Sequence, residues 1–261
     1  MTRPRTHRMV LGALATSLCA GIALGAPGVA FADSSTPAPA GSGSGSSTDA
    51  APSSPACTPS TFSQAQQAVE TALADRVTQL GTLAGRVNAA PALTAGDKST
   101  LLSDVNVTEL PGIQALQTKV PTDTTCPQLR QDAHSMVFDY RVYVVMTPQT
   151  DLVIANDTAV SVVSSFAALE PTIAGWIQYA QGHGNKNVAD AQAAFADYQA
   201  KVTAAGSLAT ASQSATLLAQ NAAGYPGDES VFLQARTNLS NAHNDLYTAR
   251  ADLAKIITDL A

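Results

Sequence analysis

Apolar residues in the last third of the chain recur at the spacing of one helix face. Between residues 232 and 260 the steps alternate between three and four, and small and large side chains take turns. A second helix can approach such a seam closely at the alanines and be packed by the larger residues. The seam consists of Phe232, Ala235, Leu239, Ala242, Leu246, Ala249, Leu253, Ile256 and Leu260.

The preceding segment supplies the partner for this seam. Asn187, with Asp190 three residues on, is typical of a helix start, and the helix is predicted to run to about residue 222. A Gly-Tyr-Pro-Gly-Asp turn at residues 224–228 then separates the two helices. The pattern predicts an antiparallel hairpin. Its best-placed apolar residues before the turn are Val188, Ala191, Phe195, Tyr198 and Val202.

A first long helix is predicted after residues 59–61, ending near residues 88–91. Its buried face would consist of Val69, Leu73, Val77, Leu80, Leu83 and Val87. Thr94 and Asp97 form a capping-box pattern before a short helix at residues 99–105. Leu110-Pro111-Gly112 predicts a second short helix that Pro121 ends. Residues 93–125 are therefore expected to form a broken crossover.

The middle of the chain is less regular. The pattern favours a helix over about residues 127–144, then a break at Thr147-Pro148, with the threonine at the N-cap and the proline at the first helical position. The next helix would continue to about residue 180 with a kink at Pro171. Residues 142–146, Val-Tyr-Val-Val-Met, have strand character. A buried strand is the alternative there, although a lone strand would lack a hydrogen-bonding partner.

The N-terminus has the features of an export signal. Three arginines and no acidic residue lie in the first eight positions, an apolar run follows to about residue 29, and Ala30-Phe31-Ala32 fits a cleavage site. We expect a signal peptide over residues 1–32. Residues 33–56 are almost wholly Ser, Thr, Pro, Ala and Gly, which predicts a disordered leader. A membrane anchor and lipidation at Cys19 are the alternatives that this pattern disfavours.

Two cysteines, Cys57 and Cys126, remain after this cleavage. In an oxidising exterior an isolated pair most often forms a disulfide. The prediction is an all-α fold formed by residues 57–261: an elongated antiparallel helical bundle with a C-terminal helical hairpin and one disulfide. A metal or redox pair is disfavoured because the two residues lack the C-x-x-C spacing.

Net charge limits the classes of partner. Removal of residues 1–32 takes away three of 14 basic residues and none of 20 acidic ones, which leaves a net charge near −9. Nucleic acid and anionic lipid attract basic surfaces, so neither is expected as a partner. We expect a secreted protein, extracellular or associated with the cell envelope, that does not insert into a membrane after signal cleavage.

No sequence motif indicates catalysis. The chain lacks G-x-S-x-G, a Gly-rich phosphate loop, C-x-x-C-H and the E-x-x-H pattern of di-iron bundles. No enzymatic activity, cofactor or metal is therefore predicted. His134, Met136 and Met146 could bind copper, but the first two do not share a helix face. His183 and His243 are interpreted as surface residues.

A possible polar site lies in the most apolar part of the chain. Asp139 and Arg141 flank Tyr140, and a half-buried ion pair, with Asp151 nearby, is the structural interpretation. The functional interpretation is a groove at the helix break. Its candidate residues are Asp139, Arg141, Tyr143 and Trp176.

Two short segments carry a resemblance to known proteins. They are residues 140–148, Tyr-Arg-Val-Tyr-Val-Val-Met-Thr-Pro, and residues 93–98, Leu-Thr-Ala-Gly-Asp-Lys. Over residues 60–181 the chain resembles a loose group of secreted helical proteins from high-GC Gram-positive bacteria. The resemblance implies an exported helical protein and no particular activity.

The expected function is non-enzymatic binding of a protein or a cell-envelope component through helix packing. A metal-binding or small-ligand-binding module is the alternative hypothesis. The pattern leaves the oligomeric state open, and it does not decide between one bundle and two hairpins in series.

Overall fold

The computed structural model describes residues 57–185 and 187–261, and the predicted signal peptide and leader lie outside them. The fold is all-α, and no β-strand occurs among the described residues. The α-helices in this part of the chain are α1 (Phe62–Ala89), α2 (Ala95–Ser103), α3 (Leu110–Lys119), α4 (Cys126–Phe138), α5 (Thr147–Ala167), α6 (Glu170–Gly182), α7 (Val188–Ala211), α8 (Ser214–Leu218) and α9 (Gly227–Leu260).

Helices α1, α3 and α4 form an N-terminal group. α3 runs antiparallel to α1, and Nε2 of Gln66 in α1 donates to the carbonyl of Val120 at 2.7 Å, just beyond the end of α3. A disulfide joins Cys57 to Cys126, with Cα atoms 5.7 Å apart, as predicted. α1 and α4 therefore begin side by side. The buried core of this group includes Leu73, Leu80, Leu83, Val105, Ile113, Leu129, Met136 and Val142.

Two prolines follow π turns instead of chain breaks. The π turns Asp104–Glu109 and Val142–Met146 lie directly before α3 and α5, whose second residues are Pro111 and Pro148. A proline inside an α-helix clashes with the carbonyl four residues earlier and cannot donate to it. The wider π turn, with bonds that reach five residues back, relieves that clash. The prediction that a new helix starts at Pro111 is therefore wrong, and so is the predicted break at Thr147-Pro148. The alternative of a β-strand at residues 142–146 is also wrong, because these residues form a π turn.

The uninterrupted helix expected over residues 127–144 is broken near its end. α4 ends at Phe138, and Arg141 has a left-handed backbone with φ 41° and ψ 41°. This conformation costs an L residue about 1–2 kcal/mol. The ring of Tyr140 packs directly on Gly112, where any Cβ would overlap it. Tertiary contacts thus place the break at a point where the sequence has neither glycine nor proline.

The kink expected at Pro171 is a short break between two helices. α5 ends at Ala167 and α6 begins at Glu170, with the proline as its second residue. The N–H of Leu169 donates to the carbonyl of Phe166 at 3.0 Å, which closes the tight turn between them.

The C-terminal antiparallel hairpin is confirmed. Nζ of Lys201 lies 2.8 Å from Oδ1 of Asp245, and Asn185 contacts the backbone of Asp259, so residue numbers rise along α7 as they fall along α9. Of the predicted seam in α9, the residues up to Ile256 are buried and Leu260 is half-buried. The seam from Ala242 to Ile256 shares a core with the α7 residues Val188, Ala191, Ala194, Tyr198, Val202 and Ala205. Phe232, Ala235 and Leu239 lie in a second cluster that includes Leu152 and Val153 of α5 and Leu217 of α8.

Helix α7 is shorter than predicted because side chains of α5 replace its continuing hydrogen bonds. It ends at Ala211, well before residue 222. Nδ2 of Asn156 donates to the carbonyl of Ala209 at 2.8 Å, and Oγ of Ser214 lies 3.0 Å from Oδ1 of the same asparagine. The chain turns here and forms the short α8.

Helix α5 joins the N-terminal group to the hairpin. Towards α1, Asp151 forms an ion pair with Arg86. Towards α8, Nε2 of Gln149 donates to the carbonyls of Leu217 and Gln220, both at 2.9 Å. Because α1 packs on α3 and α4 while α9 packs mainly on α7, the two groups lie in series on either side of α5.

Asp157 connects α5 with both α2 and α8. Its Oδ2 accepts the N–H of Thr94 at 2.8 Å, and its Oδ1 accepts the hydroxyl of Ser214 at 2.7 Å. Oγ1 of Thr94 accepts the N–H of Asp97 at 3.1 Å, so the predicted N-cap is confirmed. Burial raises the pKa of Asp157, although both of its hydrogen bonds oppose that shift.

Candidate functional site

An apolar groove of about 350 Å³ lies between α1 and α4, beside the disulfide. Its floor is aliphatic and its only charged lining residue is Arg130. The groove is lined by Cys57, Ala65, Ala68, Val69 and Ala72 on one side and by Leu129, Arg130, Ala133, Met136 and Val137 on the other. Because alanines form most of the α1 wall, the two helices leave a depression instead of a filled contact.

Large apolar side chains are exposed where the groove meets the helix break. Val137, Phe138, Tyr143 and Val144 are each between 41 and 47 % exposed. Scattered exposed apolar residues are normal, but a contiguous group next to an apolar depression is typical of a binding surface. We refer to the groove together with these four residues as the groove surface.

Arg141 lies between two aromatic rings at the edge of the groove surface. Its Cζ lies 5.2 Å from the ring centroid of Phe138 and 4.6 Å from that of Tyr225. On its other face, Phe138 stacks on His134 with ring centroids 4.3 Å apart. The result is a four-member stack that holds the guanidinium by its faces and leaves its edges for hydrogen bonds.

Arg76 occupies a similar position at the α1 side of the surface. Its Cζ lies 5.0 Å from the ring centroid of Tyr143, and Nη1 donates to the carbonyl of Ala72 at 2.9 Å. Burial lowers the pKa of Arg76, while the neighbouring Tyr143 and Asp75 oppose that shift. Arg76 follows the last lining residue of α1, Ala72, by about one turn, so it lies at the end of the groove away from the disulfide.

Arg130 lies at the disulfide end. Its Nη2 donates to the carbonyl of Cys57 at 2.9 Å. Of the six arginines in residues 57–185 and 187–261, only Arg86 has a carboxylate within ion-pair distance. Three of the five arginines without such a partner thus lie in the groove surface or at its edge, although acidic residues outnumber basic ones by 20 to 14 over the whole chain.

The predicted polar site is only partly assembled. Tyr143 and Arg141 both border the groove surface, but no ion pair joins Arg141 to Asp139 in the described part of the chain. Asp151 pairs with Arg86 instead. Trp176 packs against the core of α6, α7 and α9, so the groove that was expected to include it does not form. Arg76, Arg130 and Tyr225 were not anticipated, because sequence spacing does not show cation–ring contacts between distant elements.

The side chains considered for copper do not converge. Met136 and Met146 are buried in the N-terminal core, whereas His134 is exposed and stacked on Phe138. His183 stacks on Tyr179 with ring centroids 4.0 Å apart. No group of three or more His, Cys, Asp or Glu side chains suited to a metal occurs among the described residues.

The π turn before α3 contains a buried acid. Glu109 is 7 % exposed, and its Oε2 has no hydrogen-bond partner in the described structure. Hydrogen bonds from residue i to i+5 put the two ends of a π turn on one face, which places Asp104 beside it. Burial, and secondarily the charge of Asp104, raises the pKa of Glu109 to about 7.

A second acidic pair lies near the disulfide. Asp123 and Asp132 are both buried, and each has one carboxylate oxygen without a donor. Nζ of Lys119 lies 2.5 Å from Oδ1 of Asp132. Burial raises the pKa of Asp123, and the charge of Asp132 adds to the shift while Lys119 opposes it.

The helical stretch Cys126–Gly182 is long and apolar enough, by length and composition, to cross a membrane. Its most apolar window of 18 residues has a mean hydropathy of 1.6, and 28 % of it is buried. The stretch includes the break at Arg141 and a buried carboxylate, Asp157, that is hydrogen-bonded within the protein. A continuous span would expose such groups to lipid at high cost.

No protein-family model, curated protein or solved structure matches the chain.

Proposed function

We propose that the chain is an exported helical protein that acts by binding a protein of the cell envelope or its surroundings, and that it does so through the groove surface. The proposal includes a signal peptide at residues 1–32 and a non-enzymatic mode of action. The observation that carries it is one continuous surface in which an aliphatic depression, four exposed apolar side chains and three arginines adjoin.

The chemistry of this surface supports binding better than catalysis. Protein-binding surfaces are enriched in aromatic residues and arginine, whose large contact areas exclude water. Groups that transfer protons or attack substrates must lie within hydrogen-bond reach of one another. The groove lining contains neither a histidine nor a carboxylate, and its cysteine is in the disulfide.

Site-specific photocrosslinking tests this proposal. A photoreactive side chain placed at Ala68, an exposed residue of the groove wall, should form one dominant product with an envelope fraction of the producing organism. The same side chain at Leu233, exposed on α9 away from the groove, is the matched control. Mass spectrometry of the product identifies the partner, and Val137→Asp should abolish the product by placing a charge in the apolar contact.

Three outcomes would contradict the proposal. Equal yields of crosslinked product from the probes at Ala68 and Leu233 would show that the contact is non-specific. A product that persists in the Val137→Asp variant, with the fold intact by circular dichroism, would place the contact elsewhere. Co-sedimentation of the full chain with neutral phosphatidylcholine vesicles, without any protein product, would show a lipid surface as the partner.

A further inference from the structure

We infer that the partner segment bound by the groove surface is an acidic amphipathic helix, with aliphatic side chains that fill the groove and carboxylates that bind Arg76, Arg130 and Arg141. This inference rests on the proposed function and specifies the chemistry of the partner.

The first argument is the number of unused donors. A guanidinium has five N–H groups, and the described contacts use one from Arg76, one from Arg130 and none from Arg141. The terminal Nη atoms of the three arginines are not among the buried atoms without a partner, so they are the donors that another molecule can reach. A carboxylate from a partner would supply acceptors to these Nη groups in the bidentate geometry that arginine prefers.

The second argument is that the arginines are held in place. Arg141 is stacked between the rings of Phe138 and Tyr225, and Arg76 is stacked on Tyr143. Arg130 is anchored on the carbonyl of Cys57. Arginines fixed in this way lose less side-chain entropy when they bind an anion than arginines that extend freely into water.

The third argument is the length of the surface. Arg130 contacts the residue that begins the described chain, just before α1, and Arg76 lies 14 residues after Phe62 on that helix. At 1.5 Å per residue α1 rises about 21 Å between Phe62 and Arg76, the length of a four-turn helix. The aliphatic floor lies between them, so a helix with one apolar face and acidic flanks matches both features.

The net charge of the chain opposes an acidic partner, whereas the charge of the groove lining favours one. The groove lining has one cation and no anion, while the whole chain has a net charge of −6. Long-range electrostatics therefore favours basic partners and opposes acidic ones. A preference for an acidic helix would therefore have to come from Arg76, Arg130 and Arg141. Such a preference would identify these arginines as the binding residues.

The test uses two synthetic peptides of about 18 residues, a length of about 27 Å as a helix. Both have the same Ala/Leu face, and one has Glu and the other Lys on the polar face. Fluorescence anisotropy with the full chain should show binding of the Glu peptide about tenfold tighter than that of the Lys peptide. Added salt should weaken the Glu complex, because screening reduces the local ion pairs.

Neutralising the arginines should remove this preference. The variant Arg76→Gln/Arg130→Gln/Arg141→Gln should bind the Glu peptide about tenfold more weakly and reverse its salt dependence, because only long-range repulsion remains. Arg236→Gln/Arg250→Gln, which changes two exposed arginines of α9, is the matched control and should retain the preference. Circular dichroism of each variant checks that the helices are intact.

The possible failures of the two proposals can be distinguished. Equal binding of the two peptides, or tighter binding of the Lys peptide, would overturn the acidic-helix inference even if the Ala68 crosslink identifies a partner. A crosslink between copies of the chain, with a dimer in light scattering, would overturn it in favour of self-association. Loss of the Ala68 crosslink itself would overturn the proposed function.

Discussion

The ring of Tyr140 lies against the backbone of Gly112, so closely that a Cβ on the glycine would overlap Cε1 of the ring. This contact joins the break after α4 to the first turn of α3. It depends on the absence of a side chain, since Tyr140 cannot approach a substituted residue to the same distance.

Gly112→Ala should therefore destabilise the fold. Overpacking of a fitted contact costs about 1–3 kcal/mol, which exceeds the gain from replacing a helical glycine by alanine. Urea unfolding followed by far-UV circular dichroism measures the difference. Gly81→Ala and Gly85→Ala are matched controls, because both glycines lie in α1 with open space around them and should gain up to about 1 kcal/mol. A stabilised Gly112→Ala variant would contradict the contact.

The left-handed backbone of Arg141 gives a second prediction. Arg141→Ala and Arg141→Gly both remove the ring contacts, but only glycine adopts φ 41° without strain. The glycine variant should be the more stable by about 1 kcal/mol.

At Arg236, which lies within α9, the order of stability should be reversed, so that Arg236→Ala is more stable than Arg236→Gly. Glycine inside a regular helix is about 1 kcal/mol less favourable than alanine. If alanine were the better residue at both positions, the left-handed conformation of Arg141 would not exist in solution.

Stability should fall as the pH rises through the titration of Glu109. The pKa of its carboxyl is about 7 in the folded protein, against 4.5 as the ordinary value. The folded state thus binds the proton more tightly than the unfolded state between these pH values, and stability falls as pH rises. The loss amounts to about 3 kcal/mol above pH 7 and is absent below pH 4.5.

Glu109→Gln should remove most of this dependence. The variant should be more stable than the parent above pH 7, and the advantage should shrink as the pH approaches 4.5. Urea midpoints across this range provide the measurement, and Glu229→Gln, at an exposed position on α9, is the control. An advantage that does not change with pH would assign the effect to packing instead of to titration.

Loss of the Cys57–Cys126 bond should destabilise the N-terminal group. The bond closes a loop with a sequence separation of 69 residues, for which the chain-entropy model gives about 4 kcal/mol. Cys57→Ser/Cys126→Ser should lower the urea midpoint accordingly. Reductant should lower the midpoint of the parent and leave the double variant unchanged. A response of the double variant to reductant would indicate a different origin of the effect.

The sequence predicts most accurately those helices whose buried residues recur every three or four positions. The seam of α9 and its pairing with α7 are regular, so apolar periodicity was sufficient to predict them. The disulfide follows from the number of cysteines and from the expectation of an oxidising compartment.

The sequence predicts the wrong helix boundaries where tertiary contacts outweigh local preferences such as those of proline. Pro111 and Pro148 suggested breaks, but π turns accommodate both prolines within continuous helix. The actual break at Arg141 is stabilised by contacts with Gly112 and Tyr225, which are distant in sequence. The end of α7 depends on Asn156 of another helix in the same way.

The candidate site was less predictable than the fold. The apolar run of the sequence predicts Tyr143 and Arg141 as site residues, and both border the groove surface. The chemistry of Trp176 also predicts a site residue, but its side chain packs against the core of α6, α7 and α9. The groove itself results from the size of the alanines along α1, and a depression between two helices has no signature in either helix alone.

The buried face of α5 has a consequence for how the two halves of the protein are oriented. Gln149, Asn156 and Asp157 attach α5 to α8, α7 and α2 through directional hydrogen bonds instead of interchangeable aliphatic contacts. Aliphatic surfaces can slide past one another at small cost, whereas each of these bonds weakens steeply as its angle changes. Together with the ion pair between Asp151 of α5 and Arg86 of α1, these bonds fix the rotation of the hairpin relative to the N-terminal group. If one partner bound the groove and another bound the hairpin, the two partners would therefore have a constant orientation relative to each other.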